Sequence, residues 1–251
     1  MHPVAYVLTV SGSDSSGCAG LQADNRAIHA AGAMPLNVLT ATTLQTPDGL
    51  LATRLADPAE VEQGITSLLE AYPVRTVKIG MLGSAAIVEA VARALADSAE
   101  RPFVVLDPVL QTSSGSALLD NAGVEVLNGQ LLPRVGLVTP NLAERRQLRV
   151  PDSVAVLLKG GHADSAECVD QLTLPDGQTL EFSAARVDTL NTRGTGCALS
   201  AGIAAYLAQG SDLPTACQQA KSQLHDSLSR HADQRFTGPG PSFLPGANSA
   251  E

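Results

Sequence analysis

The 251-residue chain has no tryptophan, and its aromatic fraction is only 3%. A core must therefore be aliphatic and alanine-rich, which a hydrophobic content of 44% can supply. Its four cysteines, at 18, 168, 197 and 217, are scattered without Cys-x-x-Cys or Cys-x-His pairing. That excludes the usual zinc spacings, and in a chain this long it is not a disulfide scaffold. Positive charge is also scarce. A formal net charge of −9 argues against a nucleic-acid surface and against docking on anionic membranes. An anionic substrate must then be held by local features. No apolar run approaches the ~18 residues of a membrane helix, and the first residues lack a basic segment followed by an apolar one. The expectation is a soluble, cytoplasmic protein.

What is present is alternation. Short apolar runs rich in β-branched residues predict strands over 4–10, 34–44, 76–80, 103–106, 135–139 and 154–158, with a short strand over 50–55. Between them, apolar residues at helical spacing predict helices over 21–31, 58–71, 84–96 and 124–131, and a last one over 214–232. Residues 168–174 and 178–182 flank Pro175-Asp176-Gly177 and predict an antiparallel hairpin. The pattern is α/β, with a mainly parallel central sheet and helices on both faces. No repeat or linker divides it, so a single domain over 1–236 is expected, followed by a loosely ordered Gly/Pro-rich tail over 237–251. Polar or Gly-rich segments follow several strands directly, at 11–20, 45–49, 80–83, 107–116, 139–144 and 159–165. In a parallel sheet these gather at one edge, where such folds bind ligands.

The chemically most suggestive stretch is DTLNTRGTGCALSAGIAAYL, residues 188–207. Gly194 and Gly196 bracket Thr195, Cys197 follows, and small residues continue at helical spacing. Unpaired N–H groups and the helix dipole make such a start an anion site, and phosphate is its usual occupant. The same spacing also fits a tight turn capping a small-residue helix. Asp107, at the end of a predicted strand, suits a metal or phosphate-side carboxylate, or a strand-ending turn. The loop after the first strand is neither Gly-x-Gly-x-x-Gly nor a Walker loop, so a dinucleotide or P-loop reading is excluded.

Six motifs in order, SGSDSSGCAGLQAD, KIGML, LDPV, TPNLAE, KGGH and NTRGTGCALSA, resemble the ribokinase-like superfamily, and within it the hydroxymethylpyrimidine and phosphomethylpyrimidine kinases of thiamine biosynthesis. The likeness runs from about residue 7 to about 225. It implies a single ribokinase-like domain that moves the γ-phosphoryl of ATP to a hydroxymethyl oxygen, with ATP as co-substrate, Mg²⁺ as cofactor and a homodimer as assembly. Gly194, Thr195, Gly196 and Cys197 would face the transferring phosphate. Asp107 and Glu144 would stand near Mg²⁺, and Asn141, Lys159 and Lys221 on the nucleotide side, although a solvated Lys221 fits as well. Ala19, Asp24, Gln45, Met81 and Val109 would form the pyrimidine pocket. The Gln45 amide offers both a donor and an acceptor to an aminopyrimidine. A thiol at a helix N-terminus has a lowered pKa, so Cys197 would accept the hydroxymethyl proton or hold the alcohol in line.

The chain departs from the family pattern in places. Cys18 adds a side chain to its first loop, Thr46-Pro47 follows Gln45 where the family reads Asn-Thr, and Arg193 stands where it reads His. Arg193 would neutralise phosphate charge or simply be exposed. Only residues 145–158, 14 in all, separate Glu144 from Lys159, so a family helix is missing around 145–155. The missing layer should leave part of the sheet bare or covered by another chain. Two alternatives remain: a pyridoxal (vitamin B6) kinase, and a non-catalytic pyrimidine-binding regulatory protein.

Overall fold

The computed structural model describes residues 4–112, 115–160 and 166–243. Nine strands form one sheet: β1 (Tyr6–Asp14), β2 (Met34–Thr46), β3 (Gly49–Leu55), β4 (Val74–Ile79), β5 (Phe103–Leu106), β6 (Leu137–Val138), β7 (Ala155–Leu158), β8 (Glu167–Thr173) and β9 (Thr179–Ala185). Their spatial order is β3-β2-β1-β4-β5-β6-β7-β8-β9. The five contacts from β2 through β7 are parallel; β3 and the β8–β9 hairpin join antiparallel at the edges. The expected α/β architecture is observed.

Strand alternation divides the core into two layers. Leu8 and Val10 of β1, Val77 and Ile79 of β4, and Val104 and Leu106 of β5 face one side. There they pack on α2 (Pro58–Ala71), α3 (Ala85–Asp97) and α4 (Asn121–Val126), which continues into a wider turn at Leu127–Leu131. Val7 and Val105 face the other side, against α1 (Gly20–Ala30), α6 (Thr195–Ala208) and α7 (Leu213–Arg230). Helix starts follow their local chemistry. The Asp57 carboxylate accepts from Ala59 N and precedes Pro58, the Ser84 hydroxyl accepts from Ile87 N, and Asp212 accepts from Thr215 N. Helix α6 is buried on every side from Ala198 to Ala205, because it lies between the sheet, α1 and α7. Gly202 lets α7 approach, and a Cβ there would stand 3.2 Å from the Ala220 methyl.

Three expectations change. Strand β1 runs to Asp14, through what reads as loop, because Ser13 and Asp14 pair with Thr42 and Thr43 of β2 after a register shift. The shortened segment leaves less sheet bare than expected. After α5 (Leu142–Arg145), Leu148 and Val154 turn into the core, each nearly fully buried, and Val156 of β7 packs partly against it. The buried Asn128 holds this segment, donating to Gln147 O at 3.1 Å and accepting from Arg149 N at 2.8 Å. In the tail, Arg193 N donates to Gly240 O, Ser242 N donates to Arg193 O, and Phe243 is buried, so 240–243 are packed. Residues 244–251 lie outside the described residues.

Candidate active site

The ends of the parallel strands deliver the site. β1 ends in Gly12–Asp14, β2 in Gln45, β4 in Gly80-Met81, β5 in Asp107, β6 in Thr139–Asn141 and β7 in Lys159-Gly160. Helix α6 points its N-terminus at this edge. Gly194 caps it in the left-handed region (φ 77°), and no side chain caps its first turn. The backbone N–H groups of Thr195, Gly196 and Cys197 are thus left for a ligand. Glycine is required at 194 on two counts. The φ disfavours other residues, and a Cβ would collide with the Cys18 carbonyl of the first loop.

That first loop is organised by Asp14. Its buried carboxylate accepts from Ser16 N and Ala19 N, both at 2.9 Å, and from the Ser16 hydroxyl at 2.8 Å. Ala19 sits at the start of α1. Gln45 lies across the loop, its amide bonded to Arg193 at 2.7 Å and to Thr43 at 2.9 Å. Met81 is buried and lines a cavity of about 340 Å³ with Leu55, Gly83 and Leu119. Val109 is half-buried, two residues past Asp107.

Asp24 is placed differently. It is wholly buried, accepting from Lys78 Nζ at 2.8 Å on both oxygens and from the Thr9 hydroxyl at 2.7 Å. It has no exposed surface with which to touch an acceptor. Burial works against the charge on Lys78, but Asp24, Cys197 and Asp107 outweigh it and hold its pKa above the usual lysine value. Lys78 went unnoticed in the sequence. The available signal was a lysine inside the apolar run TVKIG, which can stay buried only with a partner.

After β5 and β7, Lys159 Nζ lies 2.7 Å from Asp107 Oδ1. Both reach the first turn of α6: a Cβ on Gly196 would be 3.0 Å from Lys159 Nζ and 3.5 Å from Asp107 Oδ2. Asn141 and Glu144 form a capping box, Asn141 Oδ1 accepting from Glu144 N at 2.9 Å and Glu144 Oε2 from Asn141 N at 2.8 Å. Burial, only partly offset by Lys159, raises the Glu144 pKa to about 6. Lys221 is neither solvated nor free for a nucleotide. It is buried and donates to Asp170 Oδ2 at 2.7 Å, while Asp170 Oδ1 accepts from Gly160 N at 2.9 Å. Its charge thus braces the loop after Lys159. His162 lies outside the described residues.

Cys197 also corrects an expectation. Burial, aided by Asp24 and Asp107, pushes its thiol up to about 11, and Lys78 only moderates this. Its helix position does not make it a thiolate near neutral pH.

The phosphomethylpyrimidine kinase family profile matches this chain over residues 14–155 and 149–241, two stretches that meet at the shortened segment. A hydroxymethylpyrimidine/phosphomethylpyrimidine kinase of Escherichia coli is 37% identical, over 93% of this chain and 94% of its own. A thiamine biosynthesis bifunctional protein of Geobacter sulfurreducens is 37% identical over 95% of this chain and 52% of its own. Among solved structures, a pyridoxal kinase from Staphylococcus aureus in complex with AMP-PCP and pyridoxal superposes with a TM-score of 0.84 at 25% identity, covering 100% of this chain and 97% of its own.

Proposed function

The chain belongs to the phosphomethylpyrimidine kinase family, and on that premise we propose that it transfers the γ-phosphoryl of ATP to hydroxymethylpyrimidine, its monophosphate or both, in thiamine biosynthesis. The observation that carries the reading is the approach of Lys159 and Asp107 to Gly196 at the uncapped start of α6. Backbone donors and a cation meet there where phosphoryl charge would develop. The pyridoxal kinase neighbour shares the fold at 25% identity, whereas the pyrimidine kinase of Escherichia coli shares 37%, which favours the pyrimidine.

In this reading the N–H groups of Gly194–Cys197 bind the transferring phosphoryl oxygens. Lys159 and Asn141 stand on the nucleotide side, and Lys221 supports them through Asp170. Asp107 and Glu144 suit Mg²⁺. They are two buried carboxylates close enough to influence each other, and no cluster of three ligating groups occurs among the described residues. Two carboxylates suit an ion that keeps water and phosphate ligands. When bound, Mg²⁺ supplies charge neutralisation on the phosphates. Cys197, as a neutral thiol, holds the hydroxymethyl oxygen in line. A loose transition state asks little activation of the attacking alcohol, so its proton can leave late, onto an oxygen of the transferred phosphoryl group, without the thiol acting as base. Ala19, Gln45, Met81 and Val109 surround the pyrimidine. The kinase unit spans 1–236 with 240–243 packed onto it at Arg193, works in the cytoplasm, where ATP is supplied, and pairs as a homodimer.

The test is coupled ATP consumption with Mg²⁺, offering hydroxymethylpyrimidine, its monophosphate and pyridoxal separately. Turnover with either pyrimidine is the expected outcome. Turnover with pyridoxal alone, or pyrimidine binding without any ATP consumption, would overturn the reading.

A further inference from the structure

Gln45 is held at four points. Its backbone N–H donates to the Ser15 hydroxyl at 2.8 Å, and that hydroxyl donates back to the Gln45 carbonyl at 3.2 Å. Its side-chain Nε2 donates to Thr43 Oγ1 at 2.9 Å, and its Oε1 accepts from Arg193 Nη2 at 2.7 Å. Both side-chain contacts fix the amide the same way round, for independent reasons. A guanidinium only donates, so Arg193 must face the oxygen. The Thr43 hydroxyl already gives its proton to the Ser13 carbonyl at 2.9 Å, so toward Gln45 it can only accept, and must face the NH₂. Arg193 is itself anchored. Its Nη1 donates to Thr46 O at 3.4 Å, its Nη2 lies 3.7 Å from Asp14 Oδ2, and its backbone pairs with Gly240 and Ser242.

So held, Gln45 keeps one N–H and one oxygen lone pair that no described protein group takes. That pair matches an edge where a ring nitrogen stands next to an amino group. The way round of the amide decides which end must be the nitrogen. We propose that Arg193, together with Thr43, is a specificity-determining positioning residue that fixes the Gln45 amide to read the aminopyrimidine edge of the acceptor. This rests on the reading above that Gln45 lines the acceptor pocket. It gives Arg193 a place on the acceptor side of the anion loop, apart from the phosphate charge.

The experiment compares steady-state KM and kcat of the full chain with Arg193→Met, Arg193→Lys, Thr43→Val, Gln45→Ala and the Gln45→Ala/Arg193→Met double variant. The acceptors are hydroxymethylpyrimidine and its analogue lacking the amino group. Losing one held hydrogen-bond partner should raise the aminopyrimidine KM about tenfold for Arg193→Met and for Thr43→Val. The ATP KM should not move, and the analogue should suffer less. Arg193→Lys should recover part of the loss, since it donates but not as a planar fork. In the Gln45→Ala background, Arg193→Met should add nothing, because the coupled pair acts as one unit. A rise in ATP KM with an unchanged pyrimidine KM, or losses that multiply in the double variant, would overturn the proposal. A silent Gln45→Ala would instead remove Gln45 from the acceptor pocket. Should Arg193→Met fail to fold, Thr43→Val carries the test from the other end of the amide, and a normal pyrimidine KM there would overturn the lock.

Discussion

At Cys197 two influences oppose each other. Burial, the largest, disfavours a thiolate together with Asp24 and Asp107, while Lys78 and a backbone hydrogen bond from Gly20 favour it. Cys197→Ala should lower kcat by about 10- to 100-fold with the pyrimidine KM changed little, as for a group acting mainly in the transition state. Because the thiol titrates near 11, the wild-type kcat profile should show no Cys197 inflection between pH 7 and 9. Near-normal turnover of the alanine variant would return Cys197 to a packing role. Glu144 has the opposite usefulness for a pH experiment. Its pKa is raised from 4.5 to about 6 by burial. Between those values the folded state binds more protons than the unfolded one, so stability falls as pH rises through the window and the penalty is full above it. Glutamine keeps the capping box and removes the charge. Glu144→Gln should therefore gain on the order of 1–2 kcal/mol at pH 8 and nothing at pH 4, while losing activity. Equal denaturant midpoint shifts at both pH values would contradict this origin.

Helix α7 reaches the site at one remove. Lys221 pairs with Asp170 of β8, and the same carboxylate holds Gly160 N just after Lys159. The close fit of the strand is visible at Gly160, where a Cβ would collide with the Val169 carbonyl. Lys221→Met leaves Asp170 buried without its cation, which should cost about 3–5 kcal/mol. Replacing Asp170 by Asn as well should restore part of that, since the remaining amide oxygen can still accept from Gly160. Urea unfolding of both variants checks this, and a Lys221→Met midpoint equal to wild type would mean the pair is not the brace described here. The short connection after α5 follows a similar logic. Asn128 bonds the backbone on both sides of the inward-turned Leu148, so one buried amide takes over the closing of the layer.

Across the whole molecule, the sheet ends unequally. Edge strand β3 is mostly exposed, and with β2 it shows Leu39, Leu44, Leu51 and Leu55 to solvent, Leu51 at 63%. An apolar open edge of this kind invites pairing with another chain. If the homodimer forms here, sedimentation should give a dimer for the wild type and a monomer for Leu51→Glu. A Leu51→Glu dimer of unchanged stability would move the interface elsewhere. No helix among the described residues is long and apolar enough to cross a membrane.

Apolar β-branched runs for strands and helical spacing for helices were enough to read the alternation, because a strand covered on both faces is apolar throughout and a helix buried on one face leaves a period of 3.6. The Gly194–Cys197 loop was legible as a candidate for a local reason, glycine spacing before small residues, but the same spacing fits a plain tight turn, and the motif order decided between them. The motif order carried the family, and the family carried Asp107, Asn141, Glu144 and Lys159 to one edge of the sheet. What depends on partners distant in the chain was not legible. Lys221 reads as a nucleotide-side or solvated lysine until Asp170, 51 positions away, is brought to it. Asp24 reads as a pocket wall until Lys78 covers it, and Cys197 reads as acidic until its burial is known. Arg193 reads as a neutraliser of phosphate charge or as an exposed residue until Gln45, 148 positions away, comes within 2.7 Å. Charge state and hydrogen-bond direction are set by what surrounds a group in space, and only the tertiary structure decides that.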